Sequence, residues 1–124
     1  MMADAVEEGA KSKGADVSVI QAADFTADQV NTFDGIAFGC PAMGAEVLEE
    51  SEFEPMFSEV ESVLSGKKIA LFGSYGWGDG QWMRDWEDRC REAGAELVTE
   101  SVTANEAPGD EEMEKCRELG AALA

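Results

Sequence analysis

Apolar residues fall along this chain in short bursts separated by glycines and acidic stretches, and two of the bursts contain no charge. Ile69-Ala70-Leu71-Phe72 predicts a strand buried on both faces, and Gly35 to Gly39 (GIAFG) predicts a second, the pattern of a parallel sheet covered by helices. Asp16 to Ile20 alternates as a further short strand, and Glu96 to Thr103 reads as another with a kink near Glu100. Helical spacing fills the intervals. Met1 to Lys13 sets Ala5, Val6 and Ala10 on one side, with Gly14 as its stop, and Asp24 to Thr32 reads as a polar connection with one helical turn. Ser51 is placed to cap a helix running to about Leu64: Glu54 closes a capping box, Phe53, Phe57, Val60 and Leu64 form the apolar stripe, and Gly66 ends it. Gln81 to Ala93 turns Met83, Trp86 and Cys90 inward and stops at Gly94. Asn105 to Gly109 is a loop, and Asp110 to Leu123 is the last helix, with Met113, Cys116, Leu119 and Leu123 inward. Strands and helices alternate, so the expected architecture is a doubly wound parallel sheet in three α/β/α layers, one domain over residues 1–124.

Charge narrows the partners. Asp and Glu outnumber Lys and Arg by 27 to 9, a formal net charge of −18. That excess opposes nucleic acid and anionic membranes, and it serves either solubility or long-range steering toward a basic protein surface. No apolar stretch approaches the roughly 20 residues that span a bilayer. The chain has no histidine, which removes Ser-His-Asp and Cys-His nucleophilic sites and the usual histidine-bearing zinc sites. Cys40, Cys90 and Cys116 are odd in number and widely spaced, and MMADAVEEG has no export pattern, so free thiols in a reducing, cytoplasmic compartment are expected. Chemistry, where there is any, then comes from a bound cofactor.

Two loops leave the two apolar strands on one rim of such a sheet: Cys40-Pro41-Ala42-Met43-Gly44-Ala45-Glu46, and Gly73 to Gly80 (GSYGWGDG). They offer a planar ligand the Met43 thioether on one side and the Trp77 indole on the other. Met43 and Trp77 equally read as surface-loop residues folding back on the core. Gly76-x-Gly78-x-Gly80 lies between a strand and a helix, but its spacing is not that of a dinucleotide loop, and Asp79 would repel a pyrophosphate. Cys40, at a strand end beside these loops, reads as packing rather than as a reactive thiol.

GCPAMGAEVLEESEFEP (Gly39 to Pro55) and GKKIALFGSYGWGDGQWMRDW (Gly66 to Trp86) closely resemble the two flavin loops of short-chain flavodoxins from anaerobic bacteria. The similarity extends across essentially the whole chain, including NEAP from Asn105 to Pro108. The resemblance implies a low-potential single-electron carrier with non-covalent FMN, not an enzyme. It sets Met43, Gly44, Ala45 and Glu46 at one face of the flavin ring, Ser74, Tyr75, Gly76, Trp77 and Gly78 at the other, and Asn105 beside them. It further implies a monomer that meets basic-surfaced redox proteins such as ferredoxin or flavodoxin reductases. In the family the peptide after the turn glycine flips on flavin reduction, and Gly44 followed by Ala45 biases that turn toward the flipped, type II′ form. A carboxylate about 10 Å from the ring, at an effective dielectric of about 40, disfavours added negative charge there by about 0.8 kcal/mol, roughly 35 mV. Glu46, Glu49, Glu50 and Asp79 compound it. Two other functions stay open: a flavin-dependent quinone or nitro reductase of the same fold, and a cofactor-free acidic interaction domain.

The cofactor-free alternative arises because the family opens with a central strand and a phosphate loop of the form Ser/Thr-x-Thr-Gly-Asn-Thr, neither of which is in this sequence. The chain reads as beginning just past that loop, at an internal methionine. A chain that is truly short is expected to bind FMN poorly, to be marginally stable, or to recruit another segment to fill the gap. Its sheet would have four strands, either closed up or with an open slot where the central strand belongs.

Overall fold

The computed structural model describes residues 2–40, 42–43, 47–48, 52–75, 81–105 and 109–124, and only the backbone at 42, 43, 47, 48, 75 and 105. In chain order the elements are α1 (Met2–Ser12), a 3-10 turn (Ala22–Asp24), α2 (Ala27–Val30), β1 (Gly35–Gly39), β2 (Ala42–Met43), β3 (Val47–Leu48), α3 (Phe53–Glu61), β4 (Lys68–Tyr75), α4 (Gln81–Glu92), β5 (Glu96–Leu97), β6 (Val102–Asn105) and α5 (Asp110–Leu123).

β4 is the axis of the sheet. β1 runs parallel to one of its edges, from Gly35 opposite Lys68 to Gly39 opposite Phe72. The other edge is shared: β5 pairs with Lys68 and Ile69, and β6 pairs with Phe72 to Tyr75, both parallel. The kink expected near Glu100 is thus a real break at 98–101, which splits one strand into two. β6 also explains why β4 continues through Gly73 and Ser74 to Tyr75, past the glycine at which the sequence suggested an exit. A ladder partner outweighs the weak strand preference of glycine.

The two-residue alternation of a strand sorts the core into two layers. Ile69 and Leu71 enter a cluster with Phe38, Phe53, Phe57, Val60, Trp86 and Cys90, beneath α3 and α4. Ala70 and Phe72 enter the opposite cluster with Val6, Val102, Ala104, Cys116 and Leu119, beneath α1 and α5. In the first layer Phe53 and Phe57 meet the Trp86 ring edge-on at 5.3 and 5.8 Å, and Phe57 meets Phe38 at 5.3 Å. Such pairs add about 0.5–1.5 kcal/mol each beyond the area they bury. In the second, α1 and α5 pack more extensively than any other pair of elements among the described residues. The crossing is close because Gly9 and Gly120 lie on it: a Cβ at Gly9 would collide with the Arg117 carbonyl, and one at Gly120 with the Val6 carbonyl.

Most helix limits follow the sequence, with Gly14, Gly66 and Gly94 at positive φ where stops were expected. α3 departs from it. The helix begins at Phe53 with Glu52 at the N-cap, the expected cap Ser51 lies outside the described residues, and Pro55 occupies the first turn, where the missing N–H costs nothing. Glu54 closes no capping box. Its carboxylate instead accepts from Ser58 at 2.7 Å and from Arg89 of α4 at 2.7 and 2.8 Å. α3 ends at Glu61, yet Leu64 beyond it is fully buried. In α4 Trp82 joins Met83, Trp86 and Cys90 in the core, a fourth inward position the sequence reading omitted.

Residues 16–20 are the main correction. The alternation of Val17 and Val19 predicted a strand, but the segment joins no ladder, and Val19 remains 68% exposed. Strand preference needs a partner edge, and among the described residues none lies beside it. Between residues 15–20 and β1 opens a cavity of about 690 Å³. β1 is therefore an edge strand, with Gly35, Ile36, Ala37 and Gly39 only half-buried where burial on both faces was expected. Of the two arrangements expected for a sheet short of its central strand, this is the one with the open slot. No described helix is long and apolar enough to cross a membrane.

Candidate functional site

The strands of a parallel sheet all end on one rim, and here that rim is built from β1, β4 and β6. β1 hands over to Cys40, whose N–H donates to the Phe72 carbonyl at 3.2 Å. Next comes a small antiparallel hairpin, β2 with β3, pairing Ala42 with Leu48 and Met43 with Val47 and lying beside β4. No sequence pattern announces this ladder, since two residues a side are too few to alternate. Met43 and Val47 are thus paired neighbours, and the residues between them lie outside the described residues. β4 and β6 finish together, Ser74 opposite Ala104 and Tyr75 opposite Asn105. Asn105 is thus a strand-terminal residue rather than the start of a loop.

Of the residues singled out in the sequence, the backbone of Met43, Ser74, Tyr75 and Asn105 is placed on this rim, and the Ser74 side chain is half-buried. Gly44, Ala45, Glu46, Gly76, Trp77 and Gly78 lie outside the described residues, as do the side chains of Met43, Tyr75 and Asn105.

α1 begins at the same rim. Met2 belongs to the apolar cluster of Phe72, Val102 and Ala104, whereas Leu123, at the end of α5, sits over Gly35 where β1 starts. The helix therefore presents its N-terminal amides and the positive end of its dipole toward the rim. FMN needs a broad slot for its ring and a donor-rich end for its phosphate. On this rim the hairpin and the paired ends of β4 and β6 are what the described residues offer for the ring. For the phosphate, the described residues offer the α1 N-terminus and no nest of hydroxyls.

The remaining chemistry is quiet. Cys40, Cys90 and Cys116 are free and buried. Burial pushes the Cys90 thiol up to about 12 and the Cys116 thiol to about 11, so both stay protonated and unreactive near neutrality. Hydrogen bonds from Arg89 hold the Glu54 carboxyl below the usual range, and the same pair raises the guanidinium further. Among the described residues no group of three or more acidic or cysteine side chains converges as a metal site would.

Comparison with known proteins agrees with this geometry. The flavodoxin family model matches residues 1–120. A flavodoxin of Clostridium beijerinckii is 46% identical over 123 residues, covering 99% of this chain and 88% of its own. A flavodoxin of Megasphaera elsdenii is 44% identical over 123 residues, with the same coverage. The solution structure of two-electron reduced Megasphaera elsdenii flavodoxin superposes with a TM-score of 0.89 at 45% identity, covering 98% of this chain and 87% of that one. A match over nearly the whole chain, carried by both sequence and fold, shows that the protein belongs to the flavodoxin family, FMN-binding electron carriers rather than enzymes.

Proposed function

We propose that the rim formed by the β2–β3 hairpin and the paired ends of β4 and β6 holds the flavin ring of this carrier. Met43, Gly44, Ala45 and Glu46 face one side of it, Ser74, Tyr75, Gly76, Trp77 and Gly78 the other, and Asn105 borders it. The observation that supports this most is the register of β4 with β6, which ends both strands at Tyr75 and Asn105 immediately beside the hairpin. Bound there, FMN supplies the one-electron chemistry, and the chain supplies its surroundings. Gly44 gives the turn access to positive φ. The Glu46 carboxylate accepts an N–H from the ring's edge, and the Trp77 indole covers a face and excludes water. The net charge of −18 makes further negative charge on the ring costly and orients the carrier toward basic-surfaced redox partners, which it meets as a cytoplasmic monomer. The family relationship disfavours both the reductase and the cofactor-free reading.

Titration of the purified protein with FMN, followed by quenching of flavin fluorescence, tests the assignment. Trp77→Ala is expected to weaken binding about tenfold or more. Binding as tight as that of the parent would remove Trp77 from the ring. Electron transfer to a basic reductase should slow steadily as salt is raised, and a rate indifferent to salt would remove the steering.

A further inference from the structure

Three pieces of chain meet at Gly73. The residue is buried in β4, and a Cβ on it would strike the carbonyl of Cys40 and come within 3.2 Å of Cζ2 of the Trp82 ring. Cys40 follows the last residue of β1 and leads into the β2–β3 hairpin, whereas Trp82 lies in the first turn of α4, where the chain returns after residues 76–80. The base of the first loop and the return of the second therefore touch β4 at one point, and they do so only because that point has no side chain. A glycine within a strand often marks such an approach of another backbone. The neighbouring pair repeats the device on the opposite face of the sheet, since a Cβ at Gly39 would strike the Phe72 ring.

The contact cannot be relieved from the β4 side. Phe72, Gly73 and Ser74 are held in register by Val102, Thr103 and Ala104 of β6. What can shift is the exit of β1, fastened at this level by the Cys40 N–H that donates to the Phe72 carbonyl at 3.2 Å. A side chain at position 73 would thus push the Cys40 peptide, and the hairpin that follows it, away from β4.

We propose that Gly73 is a positioning residue for the flavin: by admitting the Cys40 peptide and the Trp82 ring to one point, it fixes where the two loops start relative to each other and so the width of the slot between them. This rests on the rim being the flavin site. Gly73 acts through Cys40 and Trp82 and touches no ring itself.

The test compares Gly73→Ala with Gly120→Ala, whose added methyl meets a backbone carbonyl in the other layer of the core. Two measurements use the protein without flavin. N-ethylmaleimide should label the buried Cys40 thiol of Gly73→Ala about tenfold faster than in the parent, while Cys90, buried in the same layer, keeps its rate. Deuterium exchange at the Cys40 amide should quicken about tenfold or more. In Gly120→Ala the ratio of Cys40 to Cys90 labelling should stay that of the parent, because a general loss of stability exposes both thiols alike. With FMN added, Gly73→Ala should bind about tenfold more weakly or worse, with the visible band of the bound flavin moved toward that of free FMN, whereas Gly120→Ala should stay within about threefold of the parent. Trp82→Phe, which thins the junction without adding bulk, is the second variant should Gly73→Ala fail to accumulate, and it should raise the same labelling ratio and weaken FMN binding about threefold. Equal acceleration at Cys40 and Cys90 would overturn the proposal, and so would FMN bound by Gly73→Ala as tightly as by the parent. When Trp77→Ala also binds as tightly while Cys40 is still labelled selectively, the fault lies in the rim assignment rather than in the junction.

Discussion

β1 and β4 lie side by side in register over five residues, each apolar and free of charge at its centre, yet they live in different environments. Ile69, Ala70 and Leu71 are fully buried in β4, a strand that pairs with β1 on one edge and with β5 and β6 on the other, with helices over both faces. Ile36 and Ala37 of β1 are half-exposed along the open groove. The burial of a strand is thus set by what borders its edges and covers its faces, and only secondarily by its own residues.

The strongest way to break that contrast is to truncate both strands. Leu71→Ala should lower the free energy of unfolding by about 2–5 kcal/mol in urea titration, because the site is closed on all sides and cannot collapse. The layer above the groove is next. Gly120→Ala should cost about 1–3 kcal/mol by the same measurement, since the added methyl meets the Val6 carbonyl at the α1–α5 crossing. Ile36→Ala is expected to cost no more than about 1 kcal/mol, since part of its surface is wet already. A loss equal to that of Leu71→Ala would mean that β1 is as enclosed as β4. Glu54→Gln, in the helix pair over the inner strand, should have the smallest effect, about 0.5 kcal/mol at neutral pH, because the carboxylate and Arg89 are partly solvated, at 37% and 26% exposure. The Glu54 carboxyl is depressed in the folded state, so its contribution is present above the ordinary value of 4.5 and fades as pH falls through the lower folded value. The gap between Glu54→Gln and the parent should therefore close in acid; a gap that persists there would place the effect in packing rather than in charge.

The same contrast explains what could be read from the sequence. Gly35 to Gly39 and Asp110 to Leu123 were legible to the residue, because glycines bracket the first and unbroken helical spacing marks the second. Asp16 to Ile20 showed as good an alternation and is no strand, since a ladder depends on a neighbour that local sequence does not encode. The extension of β4 to Tyr75 was hidden for the converse reason, its partner β6 lying some thirty residues further along. Ser51 had the right chemistry for a cap, but the helix starts two residues later, and Glu54 is drawn instead into a bond with Arg89, which no local pattern announces. For the flavin site, the sequence named the two loops and their rim. The structure supplied the hairpin and the strand-end pairing on that rim. Residue-level roles in ring binding rest on the family's motifs, because ring contacts form between loops rather than along periodic elements.

The clasp of α1 on α5 has a consequence for biosynthesis. The apolar side of α1, translated early, packs most extensively against α5, the last described element in chain order. At about 5–20 residues per second, the interval between the synthesis of Ser12 and that of Asp110 is on the order of ten seconds. Throughout that interval a nascent chain leaves Val6 and its neighbours without their α5 partner, so this layer of the core is expected to close only once α5 has been made.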